Sequence, residues 1–222
     1  MILNSTFLFL SLLNINKAPF LSQHDSSFLK TVKLNSCYFA NFSQNILFSY
    51  STKFKISISS TSFKHGISQA IFLSSTERIY QETTDINLFL CKFYNIHVPN
   101  DSGGAIFSTY SVSLDTCTLL DISANSGGAF SVCSSLSIKN TGIQNISANF
   151  YGFAEISQNS PSIKIQRTIV NDVKTKSSSG FRRHDGSETH MSYNNFTHFY
   201  TMSMVSVGEF GRTPSIIFSF NL

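Results

Sequence analysis

Val112-Ser-Leu-Asp-Thr-Cys-Thr-Leu-Leu-Asp-Ile122 and Leu136-Ser-Ile-Lys-Asn-Thr-Gly-Ile-Gln-Asn-Ile146 match position for position, 24 residues apart. Taking Cys117 and Thr141 as anchors, the same pattern recurs at Cys37, Thr61, Cys91, Thr168 and Asn194, with successive spacings of 24, 30, 26, 24, 27 and 26 residues. Three residues before each anchor stand Leu34, Ile58, Leu88, Leu114, Ile138, Ile165 and Met191. Two after it stand Phe39, Phe63, Phe93, Leu119, Ile143, Val170 and Phe196, and five after it Phe42, Gly66, Ile96, Ile122, Ile146, Val173 and Phe199. Only Gly66 breaks the apolar rule, so an inward-facing pattern repeats once per 24–30 residues.

Four residues after each anchor a polar residue recurs just ahead of the apolar one: Asn41, His65, Asn95, Asp121, Asn145, Asp172 and His198. Asn and Asp tolerate the left-handed backbone that a sharp turn between strands requires. Copies stacked one strand spacing apart can also hydrogen-bond along the file, so this column is expected to be a structural ladder.

Short β-rich segments flank the anchors. Val112-Ser-Leu114, Leu136-Ser-Ile138 and Ile163-Lys-Ile165 precede them; Ala105-Ile-Phe107, Ala129-Phe-Ser-Val132 and Phe153-Ala-Glu-Ile156 follow each turn. One such unit cannot bury its apolar face alone, so stacked units must supply the core. The expected fold is all-β, a single-chain parallel β-helix of about seven coils and a partial eighth over residues 31–222, with residues 1–30 a signal-like segment or an irregular N-terminal edge. Phe7-Leu-Phe-Leu-Ser-Leu-Leu13 is apolar enough for a secretory core, but no basic residue precedes it. At the other end Ile217, Phe220 and Leu222 fit the opening of another coil. That suggests truncation of a longer solenoid, or end-to-end contact with further coils or a partner chain.

Composition agrees with this reading. Of 222 residues only 13% are charged, 41% are hydrophobic, and Ser, Thr and Asn make up about a third. A net charge of +4 is too small by itself to signal nucleic-acid binding, and no apolar run reaches the 18 residues of a transmembrane helix.

The pattern resembles right-handed parallel β-helix repeat proteins with the pectin lyase-like fold. More narrowly, Ser102-Gly-Gly-Ala-Ile106 and Ser126-Gly-Gly-Ala-Phe130 resemble the Gly-Gly-Ala-Ile repeats of polymorphic outer-membrane-type surface proteins. The resemblance implies a right-handed solenoid, an extracellular or cell-surface location, and adhesion as the role.

Chemistry is sparse. No phosphate-binding loop, dinucleotide fingerprint, HExxH or CxxC occurs, so no cofactor and no metal are expected. His184, Asp185, Glu188 and His190 match no ligand spacing. The outward columns hold one acidic residue, Asp115, which faces Lys139 one coil along and reads as an ion pair. Lys174, Lys176, Arg182 and Arg183 gather positive charge in one inter-strand region suited to a sulfated or carboxylated glycan or an anionic headgroup. Asn100 and Asn195 are the candidate glycan acceptors among five sequons that include Asn4, Asn41 and Asn145. Cys37, Cys91 and Cys117 share the anchor column with Thr61 and Thr141 and read as buried small residues. The expected function is a non-enzymatic surface or secreted β-helix binding glycans or cell-surface proteins, or serving as a scaffold. The alternatives are a polysaccharide lyase or hydrolase using Asp115 or Asp185, and a non-functional fragment of a larger surface protein.

Overall fold

The computed structural model describes residues 3–8, 10–17, 19–22, 30–49, 54–74, 85–156, 162–177, 181–183, 188–201, 209–210 and 215–219. They form three parallel sheets wound as a β-solenoid, and the described residues contain no helix. Sheet A has nine strands: Leu3–Leu8, Lys30–Asn35, Phe54–Ser59, Asp85–Phe89, Ser111–Asp115, Leu136–Lys139, Ile163–Gln166, Glu188–Ser192 and Ser215–Ser219. Sheet B has eight: Ser11–Leu13, Tyr38–Phe42, Ser62–Gly66, Lys92–Ser102, Thr118–Ser126, Gly142–Phe150, Ile169–Thr175 and Asn195–Thr201. Sheet C has eight short ones: Phe20–Ser22, Leu47–Ser49, Ile71–Leu73, Ile106–Ser108, Phe130–Val132, Ala154–Ile156, Phe181–Arg183 and Glu209–Phe210.

Each strand pairs with its counterpart one coil away, so the register follows the sequence columns. Leu88 pairs with Ile58 and Leu114, Phe93 with Phe63 and Leu119, and Ile96 with Gly66 and Ile122. Inward side chains therefore stand in files about 4.8 Å apart. Phe39, Phe63 and Phe93 stack with ring centroids 5.4 and 4.9 Å apart, and the file continues through buried Leu119, Ile143 and Val170. Each such side chain removed from water contributes roughly 1.5–3 kcal/mol. The missing side chain at Gly66 is filled from the coil below, because the Phe42 ring occupies the place a Cβ would take.

Within residues 1–30, Leu3–Leu8 pairs with Lys30–Asn35 and Ser11–Leu13 with Tyr38–Ala40, so the described strands there continue the stack. At the far end the register sets Ile216 and Phe218, not Ile217, in line with the inward Thr189 and Met191. Phe220 and Leu222 lie outside the described residues.

Three corners close each coil. The corner between sheets A and B places the residue before every anchor in the left-handed region: Ser36, Ser60, Leu90, Thr116, Asn140, Arg167 and Tyr193, with φ between 50° and 58°. The anchor side chain holds this bend by donating to the carbonyl two residues back. Thr61 Oγ1 donates to the Ser59 carbonyl at 2.9 Å, Thr141 Oγ1 to Lys139 at 2.8 Å and Thr168 Oγ1 to Gln166 at 3.0 Å. Cys37, Cys91 and Cys117 do the same through sulfur at 3.4 Å. The hydrogen bond to Cys117, then burial, push the Cys91 thiol up, away from the reactive thiolate. These cysteines are unbridged turn-holders.

The third corner uses the Ser-Gly-Gly motif. Gly103 and Gly127 have φ of 73° and 54°, and a Cβ on either would strike the carbonyl oxygen three residues on. In the next coil Tyr151 takes the same bend, with φ 50°.

Candidate functional site

Sheet B is bent at the fourth position after the anchor, and there each ladder residue is left-handed: Asn41, His65, Asn95, Asp121, Asn145, Asp172 and His198 have φ of 52–57°. Their side chains join in pairs along the file. Asn41 Nδ2 donates to Asn14 Oδ1 at 3.1 Å, Asn95 Nδ2 meets His65 Nδ1 at 2.8 Å, and Asn145 Nδ2 donates to Asp121 Oδ1 at 2.6 Å. His198 Nδ1 lies 3.6 Å from Asp172 Oδ1 and 2.8 Å from Asn171 Oδ1. Asn14, with φ 56°, is an eighth member in the coil that the sequence reading left out.

The arm of sheet B before this bend points alternate side chains outward. Lys64 Nζ sits 5.5 Å from the Tyr38 ring centroid and 5.4 Å from that of Tyr94, so an ammonium lies between two aromatic rings of the flanking coils. Around it Ser62, Lys64, His65, Lys92, Tyr94, Asn95 and Asp121 line an open depression of about 560 Å³. Lys64, Lys92 and Tyr94 among them project because strand alternation leaves them nowhere inward to go. Ala40 shares the outward column of Lys64 and Tyr94, yet it is covered.

Farther along the same face the wall has a notch. A Cβ on Gly142 would meet nothing within 4 Å, so the outward column is interrupted between Thr118 and Ile169. The resulting depression of about 510 Å³ is walled by Leu120, Ile169 and Gln144, with Asn171, Asn195, Thr197 and His198 beyond. Leu120 and the exposed Ile169 make it mainly apolar. The arm of sheet B before the bend thus carries a cationic, aromatic hollow and, farther along the stack, an apolar notch.

The basic residues singled out from the sequence divide between two sheets. Lys174 is exposed on sheet B in register with Ser147 and Tyr200, and Lys176 is exposed just past that strand. Arg182 lies on sheet C opposite Glu155, with Nη1 3.8 Å from Glu155 Oε1 and its guanidinium 4.8 Å from the Tyr151 ring. Glu155 in turn accepts from Ser126 Oγ at 2.7 Å. Arg182 is therefore engaged within the wall, while Arg183 adjoins it in register with Ile156. On the same outward file of sheet C, in coils of lower number, the Phe48, Phe72 and Phe107 rings stack at 5.2 and 4.8 Å.

Asp115 is in register with Lys139, and its carboxylate accepts from Asn140 Nδ2 and from Thr116 Oγ1, both at 2.9 Å. Chiefly the Asn140 hydrogen bond holds it below the usual carboxylate range. A group so held is unfit to deliver a proton at neutral pH. His184 and Asp185 lie outside the described residues, and His190 is on a sheet A strand in register with Lys164 and Ile217. Among the described residues no group of three His, Cys, Asp or Glu side chains could hold a metal. Asn100 and Asn195 are both exposed, Asn195 at the rim of the apolar notch. No helix among the described residues is long and apolar enough to cross a membrane.

Tyr38 and Lys92 stand one residue after their anchors and Lys64 and Tyr94 three after theirs, in columns that the sequence alone does not join. Register alone could have found the cluster, because the first and third positions after each anchor meet across coils. No protein family, no curated protein and no solved structure matches the chain, and its chemistry rests on these residues.

Proposed function

We propose that this solenoid is a surface or secreted binding module whose sheet B face takes an extended acidic glycan. The observation that carries the reading is Lys64 held between Tyr38 and Tyr94 beside Lys92 on an exposed sheet. Lysines supply charge for sulfate or carboxylate, and aromatic faces supply apolar contact for sugar rings. The notch at Gly142 would seat a less polar substituent several coils along the same straight line. Lys174 and Lys176 extend the positive charge past the bend. Asp115, held ionised by its hydrogen bonds, favours binding over cleavage, since glycosidic hydrolysis needs a carboxyl group able to deliver a proton. The two Ser-Gly-Gly turns favour kinship with polymorphic outer-membrane-type surface proteins, and an adhesive role accords with both.

Binding of heparin-like, uronate-rich and neutral polysaccharides, measured by calorimetry at low and at physiological salt, tests this. Acidic chains should bind more tightly than neutral ones. Lys64→Ala with Lys92→Ala should weaken binding by about tenfold or more, and Tyr94→Ala should weaken it further at unchanged net charge. Equal affinity of the wild type and the double variant would refute the assignment.

A further inference from the structure

Beyond the bend, the sixth position after the anchor forms another outward file on sheet B. It runs His97, Ser123, Ser147, Lys174 and Tyr200, each in register with the next. His97 Nδ1 lies 2.8 Å from Ser123 Oγ, His97 Nε2 lies 2.7 Å from Asn95 Oδ1, and Asn95 Nδ2 lies 2.8 Å from His65 Nδ1. Proton positions follow from the donors. The Asn95 amide nitrogen faces His65, so its carbonyl oxygen, which can only accept, faces His97. His97 Nε2 therefore carries the ring proton of the neutral imidazole, Nδ1 holds the lone pair, and the Ser123 hydroxyl donates to it. The bend itself fixes Asn95, whose φ is 52°, and both neighbouring residues are strand-paired.

Hydroxyl, imidazole and an orienting amide in hydrogen-bonded sequence are the arrangement that activates a serine. We propose that Ser123 is a nucleophile toward carboxylic esters, with His97 as its general base and Asn95 as the residue that positions the ring. The chemistry goes beyond the glycan reading and does not depend on it.

In the first step the Ser123 oxygen bonds to the acyl carbon while its proton passes to His97 Nδ1. The ester C–O bond then breaks, and the alcohol leaves with that proton. Water attacks the acyl-serine, gives a proton to Nδ1, and Ser123 recovers it as the carboxylic acid departs. Ester and water become acid and alcohol, with no oxidant or cofactor. Throughout, Nε2–H stays on Asn95. Ser147 and Lys174 follow Ser123 one and two strand spacings along the file, so Lys174 adds positive charge to the outer line on which the acyl oxygen would develop negative charge. The file stands on an outer wall, which suits a short acyl group on a larger alcohol, such as an acetyl ester.

The whole chain, treated with a fluorophosphonate and mapped by peptide mass spectrometry, tests this against its own many serines. Modification should concentrate on Ser123, at least about tenfold above Ser62 and Ser147. His97→Gln should slow that labelling by about a hundredfold, the usual share of a general base. Hydrolysis of p-nitrophenyl acetate should fall in parallel in His97→Gln and in Ser123→Ala. Labelling spread over the exposed serines, or a Ser123 rate equal in His97→Gln, overturns the proposal. Should either variant lose its β-sheet circular dichroism, the wild-type map alone decides: preference for Ser123 supports the assignment, and its lack overturns it.

Discussion

At the scale of single residues, this molecule is a set of left-handed bends, each held by a named side chain. A non-glycine residue in that region costs roughly 1 kcal/mol, and Leu90, Arg167 and Tyr193 have no side-chain chemistry that favours it. At Leu90 and Arg167 the anchors Cys91 and Thr168 supply the compensation by donating to the carbonyl two residues back. The last anchor varies the theme, with Asn194 Nδ2 reaching the Ile165 carbonyl of the preceding coil at 2.8 Å. At the same corner Asn140 fixes Asp115. Its folded-state pKa is depressed, so Asp115 contributes stability above its unfolded value that is lost as pH falls through the folded one. Carboxyl titration by NMR should find Asp115 below the ordinary value of about 3.9 and rising toward it in Asn140→Ala. A value unchanged by that substitution would remove Asn140 as the cause.

The alternation of bends explains what was legible in the sequence and what was not. The ladder residues could be read because Asn, Asp and His recur there, and each is enriched at positive φ. The bend before the anchor could not, because Ser, Leu, Thr, Asn, Arg and Tyr all occupy it and the signal lies in its neighbour. That neighbour is always a small donor, Cys, Thr or Asn, a property that reading the column as buried small residues leaves unused. Ser123 and His97 were hidden for a further reason: 26 residues part them in sequence, and only the exact strand register brings them together.

At the scale of the element, glycines show where backbone packing and where surface shape rule. Gly128 lies against the Gly152 carbonyl, and a Cβ there would also come within 2.7 Å of Ile146 Cγ2. Gly128→Ala should therefore destabilise the fold by more than about 2 kcal/mol, since backbone cannot step aside in a paired stack. Gly142 has open space above it, so Gly142→Val should be neutral or stabilising by up to about 1 kcal/mol, as β-branched residues suit exposed strands. Urea unfolding midpoints of the two variants check both, and similar losses would contradict the corner geometry. The valine would also fill the apolar notch and report on ligand binding there. Sheet C shows the same economy, its outward file passing from stacked Phe to the Glu155–Arg182 pair. Residues 1–30 and the last strand, Ser215–Ser219, were the least legible because their columns carry fewer of the recurring residue types.

At the scale of the whole molecule, stability accrues coil by coil, because each coil buries its apolar side against its neighbours alone. The long files on the outer wall are a by-product of that regularity, and function can be written on them without disturbing the core. The central claim is the stacking itself, and the first position after the anchor offers labelling sites in every coil: Tyr38 pairs with Ser62, Ser62 with Lys92, Lys92 with Thr118, and so on through Gly142 and Ile169 to Asn195. Pulsed electron–electron resonance between spin labels at Ser62–Ile169, Ser62–Asn195 and Tyr38–Asn195 measures four, five and six steps along the axis. The distances should be narrow and centred near about 19, 24 and 29 Å, rising by one strand spacing of about 4.8 Å each time. Broad distributions, or increments that differ from one strand spacing, would contradict a coil-on-coil solenoid and every site placed upon it.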